Sequence, residues 1–531
     1  MKKFTSILLA LAMLAAMTVI MIPTASAAWD GSSVSAGLIG SGSEFDPYLI
    51  TSENDLAFVA KQVNDAVTTY AGEYLKLTVD LDLGNQPWAP IGQIKANYFS
   101  GHFDGDGHTI SNLNVKTIDD ANALYGGVFG RIFDGSVKNL TVDGAKVVSA
   151  KYGGAIAGVL NCTADGGSAS ATNCHAINVE VYGIQVGGVI GRSSQKKCSK
   201  DQLKITGCSA TNITLGVLTT DHFASVDNGN HFVGGIVGGA GATTISGCSA
   251  KNITGDIYGT GFAPAGGIIG VLGADSQSAD VTNCYAIGVT FTAREGCHPE
   301  KTSVGGLIGK AAHVDVSYGD PNTEYNLFNN FVSEVSITNN NSVNNGVLIG
   351  LVDDTIYFND MYYVAEAGLA SFGADTYFSE WPFMEIKAPS DLTAEKLNKG
   401  NSTKVWTDDL VAGHPVIDVD ALLANTPNYV DYFVEHADET TAEETTAAPE
   451  TQAPETQAPE TQAPETQAPE TQAPETAAPE TQAPETKAPA QTEAPKAEGG
   501  CGGMVASGAV IIALMGAAVV FKNKKPSADP F

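Results

Sequence analysis

A short glycine-rich motif recurs seven times between Gly126 and Gly350: two glycines, two or three apolar residues, and a further glycine. Recurrence at intervals of a few tens of residues is typical of stacked repeat proteins, in which each repeat buries its apolar face against its neighbours. The intervals vary, from 27 residues between Gly126 and Gly153 to 47 between Gly187 and Gly234, which predicts loop insertions in a common unit. The regular glycine pairs are Gly126 and Gly127, Gly187 and Gly188, Gly234 and Gly235, Gly266 and Gly267, and Gly305 and Gly306; Gly153 and Gly154 form a longer copy, and Gly346 lacks its partner.

A second signature accompanies the glycines. Four cysteines are each preceded by Asn or Gly and followed, two residues on, by alanine: Cys174, Cys208, Cys248 and Cys284. In an extended strand, residues i and i+2 share a face, so each Cys and its Ala point the same way. Short β-branched runs punctuated by Gly and Asn indicate strands joined by tight bends.

These patterns predict an all-β fold, a right-handed parallel β-helix, with the Cys and Ala side chains stacked inside. Glycine is needed where the backbone takes a positive φ or where chains approach too closely for a Cβ. A β-propeller has a similar period and is the alternative. The unequal unit lengths and the lack of a periodic Trp-Asp signal favour the helix.

The glycine motifs resemble the GLUG motif of bacterial cell-surface proteins. The segments 40–50, 77–83, 88–92 and 99–110 are similar to the opening of β-helical domains in that group, and 392–398 and 413–417 to their closing element. Some of these domains form the non-catalytic repeat region of immunoglobulin-A-cleaving metallopeptidases. The resemblance covers roughly residues 38–420 and implies a scaffold, because the group shares an architecture and not a reaction.

Residues 52–70 predict a helix that covers one open end of the stack. Ser52 and Asp55 form a capping-box-like start, followed by an apolar stripe of Leu56, Val59, Ala60, Val63 and Val67. Repeat stacks expose apolar ends and need such caps, so residues 365–425 are expected to cover the other end. The predicted domains are an N-terminal segment, 28–75, the β-helix, 76–364, and a C-terminal capping region, 365–437.

The two ends of the chain predict export and anchoring. Residues 1–27 read as a secretory signal peptide with an Ala-Ser-Ala cleavage site. Residues 438–500 repeat Thr-Gln-Ala-Pro-Glu, which indicates a disordered, extended spacer. Residues 502–521 are uncharged and predict a single transmembrane anchor, with 522–531 as a basic cytoplasmic tail. The expected localisation is therefore the cell surface, with the C-terminus inside.

No catalytic constellation is recognisable in the sequence. His-Glu-x-x-His and Gly-x-Ser-x-Gly are both absent from it, and we predict no catalytic residue, metal or cofactor. A net charge of −31 with three arginines argues against nucleic acid as a partner. Turn and capping roles are expected for Asp80, Asp82, Asp104 and Asp106. Arg131, Arg192 and Arg294 could serve a polysaccharide lyase, but repeated bend positions explain the first two.

Irregular insertions between the motifs are the better place for recognition, since loops on rigid scaffolds carry function. The insertion containing His222, Phe223 and His231 offers rings that could stack on sugars. Among the cysteines, the four of the repeat are expected to be buried and reduced. Cys162, Cys198 and Cys297 fall in predicted loops and could be free or bridged to a neighbour, and Cys501 lies beside the anchor.

Three functions remain open from the sequence. The first is a non-enzymatic adhesive or binding protein that displays its β-helix beyond the bacterial cell wall and binds a host glycan, a plant glycan or a protein. The second is a carbohydrate-active β-helix enzyme of the lyase or glycoside hydrolase type. The third is a purely structural component of the envelope.

Overall fold

Each strand of this chain pairs mainly with the strand one repeat before it and the strand one repeat after it. The computed structural model describes residues 29–424, except 121, 164–165, 194–197, 218–228, 275–277, 312–324, 340–343, 354–355, 367, 376–382, 399–400 and 402. The predicted signal peptide, spacer, anchor and tail lie outside the described residues. Within the described part, no helix is both long and apolar enough to span a bilayer.

The fold is mostly β, with parallel strands in a solenoid-like arrangement. One coil of the chain passes through three columns of strands and then begins again one rung further along. Among the named strands, every pairing between one coil and the next is parallel. These pairings join residues at equivalent positions of the repeat. The predicted stack of parallel rungs is therefore confirmed at this level.

Column 1 contains one short strand per coil. Its strands are β1 Tyr48–Ile50, β2 Tyr74–Leu77, β4 His102–Asp104, β9 Ser136–Lys138, β14 Ala169–Thr172, β18 Leu203–Thr206, β22 Thr243–Ser246, β26 Ala279–Thr282 and the first half of β30 Tyr325–Asn339.

Column 2 follows after a bend and lengthens along the stack. Its strands are β3 Leu81–Asp82, β5 Thr109–Ser111, β6 Asn114–Lys116, β10 Thr141–Asp143, β11 Lys146–Val148, β15 His175–Tyr182, β19 Ser209–Gly216, β23 Ser249–Ile257, β27 Tyr285–Ala293 and the second half of β30. Both columns continue into β32 Ile356–Val364, which pairs with β34 Phe383–Ile386.

Column 3 is split by the glycine motif. Before the motif lie β7 Tyr125–Gly126, β12 Tyr152–Gly153, β16 Gln185–Gly187, β20 Phe232–Gly234, β24 Ala263–Gly266 and β28 Thr302–Gly305. After it lie β8 Phe129–Phe133, β13 Ala157–Asn161, β17 Ile190–Ser193, β21 Val237–Ala240, β25 Ile269–Leu272 and β29 Ile308–Ala311. The two halves merge in β31 Asn344–Val352, which pairs with β33 Ala370–Asp375.

Alternation along the strands separates the core from the surface. In column 1 the inward residues form a ladder in exact register, and all are buried: Leu75, Phe103, Val137, Ala171, Ile205, Ile245, Val281 and Leu327. Burying such a ladder along the whole stack supplies the main favourable term for folding, since apolar area removed from water contributes about 25 cal/mol per Å².

The bend between columns 1 and 2 explains the residue before each repeat cysteine. Asn173, Gly207, Gly247 and Asn283 have φ values of 50°, 64°, 61° and 53°. This left-handed conformation favours Gly and Asn over other residues. The cysteine that follows each of them is fully or almost fully buried, and none of the seven cysteines in the described residues is in a disulfide here.

The glycine pairs of column 3 are required by close approach of neighbouring coils. A Cβ added to Gly235 would lie 1.9 Å from the carbonyl oxygen of Gly267 one coil away, and one added to Gly234 would lie 2.0 Å from that of Val237 in its own coil and 2.8 Å from the backbone nitrogen of Gly270 one coil away. Neither glycine takes a positive φ. For Gly234 and Gly235, close packing of backbones is therefore the role that applies, whereas Gly127 of the first motif also takes a positive φ of 151°.

A helix, α1 Glu53–Asn64, lies where the N-terminal cap was expected. Ser52 is its N-cap and accepts a hydrogen bond from the backbone N–H of Asp55. Leu56 and Val63 of its apolar stripe are buried in the same core as the column ladders. The helix ends six residues earlier than the predicted 70, and Val67, which lies beyond its end, is 67% exposed.

The C-terminal segment consists of a single-turn 3₁₀ helix, Pro389–Asp391, two short helices, α2 Ala394–Leu397 and α3 Val419–Ala424, and an antiparallel hairpin of β35 Trp406–Asp409 and β36 His414–Ile417. It belongs to the predicted C-terminal capping region, 365–437, which also contains β33 and β34, and these two strands pair with β31 and β32 at the far end of the stack. The described residues from 389 onwards contact the flank, where Trp406 Nε1 donates to Asn283 Oδ1 at 2.8 Å. A Cβ on Gly207 or Gly247 would meet the side chains of α3. The physical reason is that the bend line between columns 1 and 2 leaves aromatic rings there to be covered.

Candidate functional site

A groove of about 470 Å³ lies on the outer face of column 1, near the N-terminal end of the stack. Its floor is built by two rows of outward side chains from β2, β4 and β9. The first row is Tyr74, His102 and Ser136, and the second is Lys76, Asp104 and Lys138. Because the residues between them point into the core, strand alternation alone places all six on one surface.

An aromatic pair forms the centre of the floor. The rings of Tyr74 and His102 have centroids 4.7 Å apart and are tilted by 36°. His102 Nδ1 lies 2.9 Å from the Ser136 hydroxyl on the next strand, which fixes the imidazole plane. Burial lowers the pKa of His102, with Glu44 opposing the shift, so the ring is neutral at pH 7. The result is a rigid aromatic platform with polar edges.

Charged side chains flank the platform in matched pairs. Lys76 Nζ lies 2.8 Å from Asp106, and Lys138 Nζ lies 3.2 Å from Asp104. Burial opposes ionisation of Asp104, but hydrogen bonds from the Asp106 backbone, Asn139 and Lys138 outweigh it and lower its pKa. The hydrogen bond to Asp106 raises the pKa of Lys76. The groove therefore presents positively charged hydrogen-bond donors and negatively charged acceptors in fixed positions.

The rim of the groove is a turn that brings one exposed aromatic ring beside it. Glu44 and Pro47 line the groove, and the backbone N–H of Asp46 donates to Ser43 O at 3.2 Å to close the turn. Phe45 lies between the two lining residues and is 96% exposed. The turn therefore exposes one aromatic ring next to two residues that line the groove.

The pairing of His102 with Ser136 resembles part of a nucleophilic dyad, but the fold explains it without catalysis. His175 Nδ1 makes the same contact with the Ser209 hydroxyl, at 2.8 Å, in column 2. In both cases the two residues are register partners on neighbouring parallel strands. The repeat geometry thus produces His–Ser pairs wherever those residues meet, and the arrangement supports binding better than acyl transfer.

Of the three residues predicted to form a recognition loop, the structure describes His231, which does not line this groove. His222 and Phe223 lie outside the described residues. His231 is completely buried, its Nδ1 accepts from the Tyr258 backbone N–H at 3.3 Å, and burial lowers its pKa to about 3. Its side chain does not reach solvent in this structure. A ligand-binding role for these three residues stays a prediction.

The remaining polar candidates have local partners. Arg131 lies over the rings of Tyr98 and Phe133 and donates to Asn161 Oδ1, and Arg294 pairs with Asp256. Asp104 Oδ1 accepts from the backbone N–H of Asp106 within a turn, and Asp80 Oδ1 accepts from the backbone N–H of Thr109 on the next coil. Among the described residues, no group of three or more His, Cys, Asp or Glu is placed to hold a metal ion.

Sequence reasoning missed the groove itself. Tyr74, His102 and Ser136 are separated by 28 and 34 residues, and no motif marks them. The available signal was the alternation of β2 and β4, whose polar residues occur at every second position between buried ones. Only the pairing register brings those positions together.

No family model matches the chain. Halomucin from Haloquadratum walsbyi is 36% identical over 183 residues, which are 31% of this chain and 2% of halomucin. A protein named "Putative Gly-rich membrane protein" from Evansella cellulosilytica is 36% identical over 114 residues, 21% of this chain and 12% of that protein. The matched stretch is thus a small part of each relative.

Two solved structures are similar. One, described as a "putative immunoglobulin A1 protease" from Bacteroides ovatus, is 18% identical, covers 72% of this chain and 94% of its own, and has a TM-score of 0.41. The other, an IgA1 protease, is 16% identical, covers 60% of this chain and 22% of its own, and has a TM-score of 0.35. Both agree with the resemblance to immunoglobulin-A-cleaving proteins noted in the sequence. TM-scores this low carry no argument about activity, and the GLUG assignment stays a prediction.

Proposed function

We propose that this protein is a non-enzymatic binding protein of the bacterial cell surface, a right-handed parallel β-helix whose column 1 groove binds a carbohydrate. The observation that carries the proposal is the platform of Tyr74 and His102. Sugar rings have apolar faces that stack on aromatic rings, and hydroxyls that need donors and acceptors around them. The groove supplies the stacking rings of Tyr74 and His102 and polar side chains around them, and these residues lie on strands.

Electrostatics favour a neutral or weakly charged glycan. The two lysines of the groove are each paired with a carboxylate, Asp106 for Lys76 and Asp104 for Lys138. A strongly anionic polymer would have to compete with those carboxylates, whereas hydroxyl groups can bridge the pairs without breaking them. The exposed ring of Phe45 offers a further contact for the next sugar unit.

Export and anchoring follow from the ends of the chain, which lie outside the described residues. We infer a signal peptide at 1–27, a spacer at 438–500 and a transmembrane helix at 502–521, which together display the groove beyond the wall. The name of one relative describes a membrane protein, and this supports association of the present chain with a membrane.

Three variants test the binding site, and one of them is a matched control. Residues 28–443 are screened on a glycan array, and the strongest oligosaccharide is titrated against wild type, Tyr74→Ala, His102→Ala and His175→Ala. We expect a loss of affinity of about tenfold or more for the first two variants, because each removes a stacking surface. His175→Ala removes an equivalent His–Ser hydrogen bond outside the groove and should bind as wild type does.

Two results would count against the proposal. If His102→Ala binds the oligosaccharide as tightly as wild type does, the binding site is not this groove. Mass spectrometry of the bound oligosaccharide checks for cleavage. Release of shorter products would favour the enzyme alternative over a protein that only binds.

A further inference from the structure

Two cysteines outside the repeat ladder meet beneath an insertion. Cys162 directly follows β13, and Cys198 lies in the insertion that precedes β18 in the next coil. Their Sγ atoms are 3.1 Å apart, and the Sγ of Cys198 also lies 3.6 Å from the carbonyl oxygen of Cys162. Both side chains are buried, with exposures of 0% and 4%. These two thiols come from different loops, whereas the four repeat cysteines, whose side chains also contact one another, lie on one ladder.

The backbone on both sides of this contact is held independently of the sulfurs. Gln202 Nε2 donates to the carbonyl oxygens of Thr163, at 3.1 Å, and Gly167, at 2.8 Å. Lys200 of the same insertion pairs with Asp280 at 2.8 Å, and the Thr244 hydroxyl donates to the Lys200 carbonyl at 3.0 Å. These bonds hold Lys200 against column 1 and Gln202 against the residues after β13, so the two thiols stay opposed.

The other described cysteines lack this arrangement. Cys174, Cys208, Cys248 and Cys284 occupy equivalent positions on successive parallel rungs, where parallel Cβ directions suit a bridge poorly. Cys297 donates to the carbonyl oxygen of Ile257 at 3.4 Å. A bond between Cys162 and Cys198 requires an approach of about 1 Å between sulfurs that already face each other across two loops.

We propose that Cys162 and Cys198 form an intrachain disulfide in the exported protein. Each thiol gives up one proton and one electron as the sulfur–sulfur bond forms. A protein disulfide of an extracytoplasmic thiol oxidoreductase accepts both electrons and both protons and becomes a dithiol. The bond links Cys198 covalently to the preceding coil. It thereby helps to hold Lys200 in contact with column 1.

Peptide mapping of the full chain, exported through its own signal, tests the bond. Trypsin digestion without reductant should yield the peptide 152–192 linked to the peptide 198–200, because cleavage follows Lys151, Arg192, Lys197 and Lys200. Fragment ions must place the link on Cys162 and not on Cys174, which shares the larger peptide. Reduction should separate the two and add about 2 Da in total, the two hydrogens of the restored thiols.

Variants and heating give a second readout. Cys198→Ser should abolish the linked peptide, whereas Cys297→Ser should retain it. Reduction of the wild type should lower its melting temperature by about 5 °C, because the bond closes a loop of some 37 residues in the unfolded chain. The exported chain is also unfolded without reductant and treated with an alkylating reagent. If both Cys162 and Cys198 are alkylated, the proposal is overturned.

Discussion

At the scale of single residues, a buried histidine is the sharpest electrostatic feature of the described chain. His231 lies at the start of column 3, where its backbone N–H donates to Phe262 O at 2.8 Å. Burial is the main cause that lowers its pKa from 6.5 to about 3, and Arg294 adds to the shift. The folded protein therefore keeps this imidazole neutral at pH values where the unfolded chain protonates it.

Acid should destabilise the fold through His231. Above about pH 6.5 both states hold the neutral ring, so the group has no effect on the pH dependence; as pH falls from 6.5 towards 3, only the unfolded state gains the proton and the free energy of unfolding falls. At pH 4.5 the loss is about 3 kcal/mol. Urea unfolding at pH 7 and pH 4.5 should show a smaller loss for His231→Asn, which keeps an acceptor for Tyr258. An equal loss in both proteins would contradict this.

At the scale of elements, a line of left-handed residues bends the strands of column 2 at the same place in each coil. Asn178, Asn212 and Asn252 have φ values of 54°, 57° and 54°. Their side chains form a ladder, in which Asn212 Nδ2 donates to Asn178 Oδ1 at 3.0 Å and Asn252 Nδ2 donates to Asn212 Oδ1 at 2.9 Å. Gly288 takes the left-handed position in the next coil, with φ 69°.

Substitutions at Asn212 should separate the two contributions of this ladder. Asn212→Ala loses both side-chain hydrogen bonds and places a Cβ in the left-handed region, and we expect a loss of about 2 kcal/mol. Asn212→Gly loses the bonds but adopts the conformation freely, and should cost about half as much. Urea unfolding at pH 7 measures both values. If Gly and Ala destabilise equally, the backbone conformation is not what the position selects.

The bends show how far sequence reasoning reaches for this fold. Asn or Gly before each repeat cysteine, and alternation around it, predicted strands and tight bends because those signals are local. The groove could not be predicted in the same way. It depends on which residues of β2, β4 and β9 share a register, and insertions of unequal length hide that register from the sequence. The same limit applies to the contact between Cys162 and Cys198.

At the scale of the whole molecule, the C-terminal segment braces the side of the stack. In a repeat protein each coil contacts mainly its neighbours, so stability is nearly a sum of local terms. The brace departs from that rule because it reaches bends of several coils: Gly207, Gly247, Asn283 and Asn329 all lie against it. The predicted end cap, 365–425, rests on the general need of solenoids for caps, and it says nothing of a contact with the flank. A hydrogen bond between residues 123 positions apart could not be inferred from local pattern.

Removing the centre of this brace should loosen the flank and leave the N-terminal coils intact. Trp406 is 2% exposed and packs against Tyr285 and Phe331, with ring centroids 5.9 Å from each. Trp406→Ala should lower the free energy of unfolding by about 3 to 5 kcal/mol. Leu410→Ala, in the same hairpin but 96% exposed, is the matched control and should change it by less than about 0.5 kcal/mol.

Hydrogen exchange distinguishes a flank brace from an end cap. In the Trp406→Ala variant, amides at the bends around Gly247 and Asn283 should exchange faster, because the side chains that cover them have lost their anchor. Amides of β2 and β4, several coils away, should keep their protection, since coils contact mainly their neighbours. Faster exchange confined to β32 and β34 would show instead that the segment acts at the end of the stack.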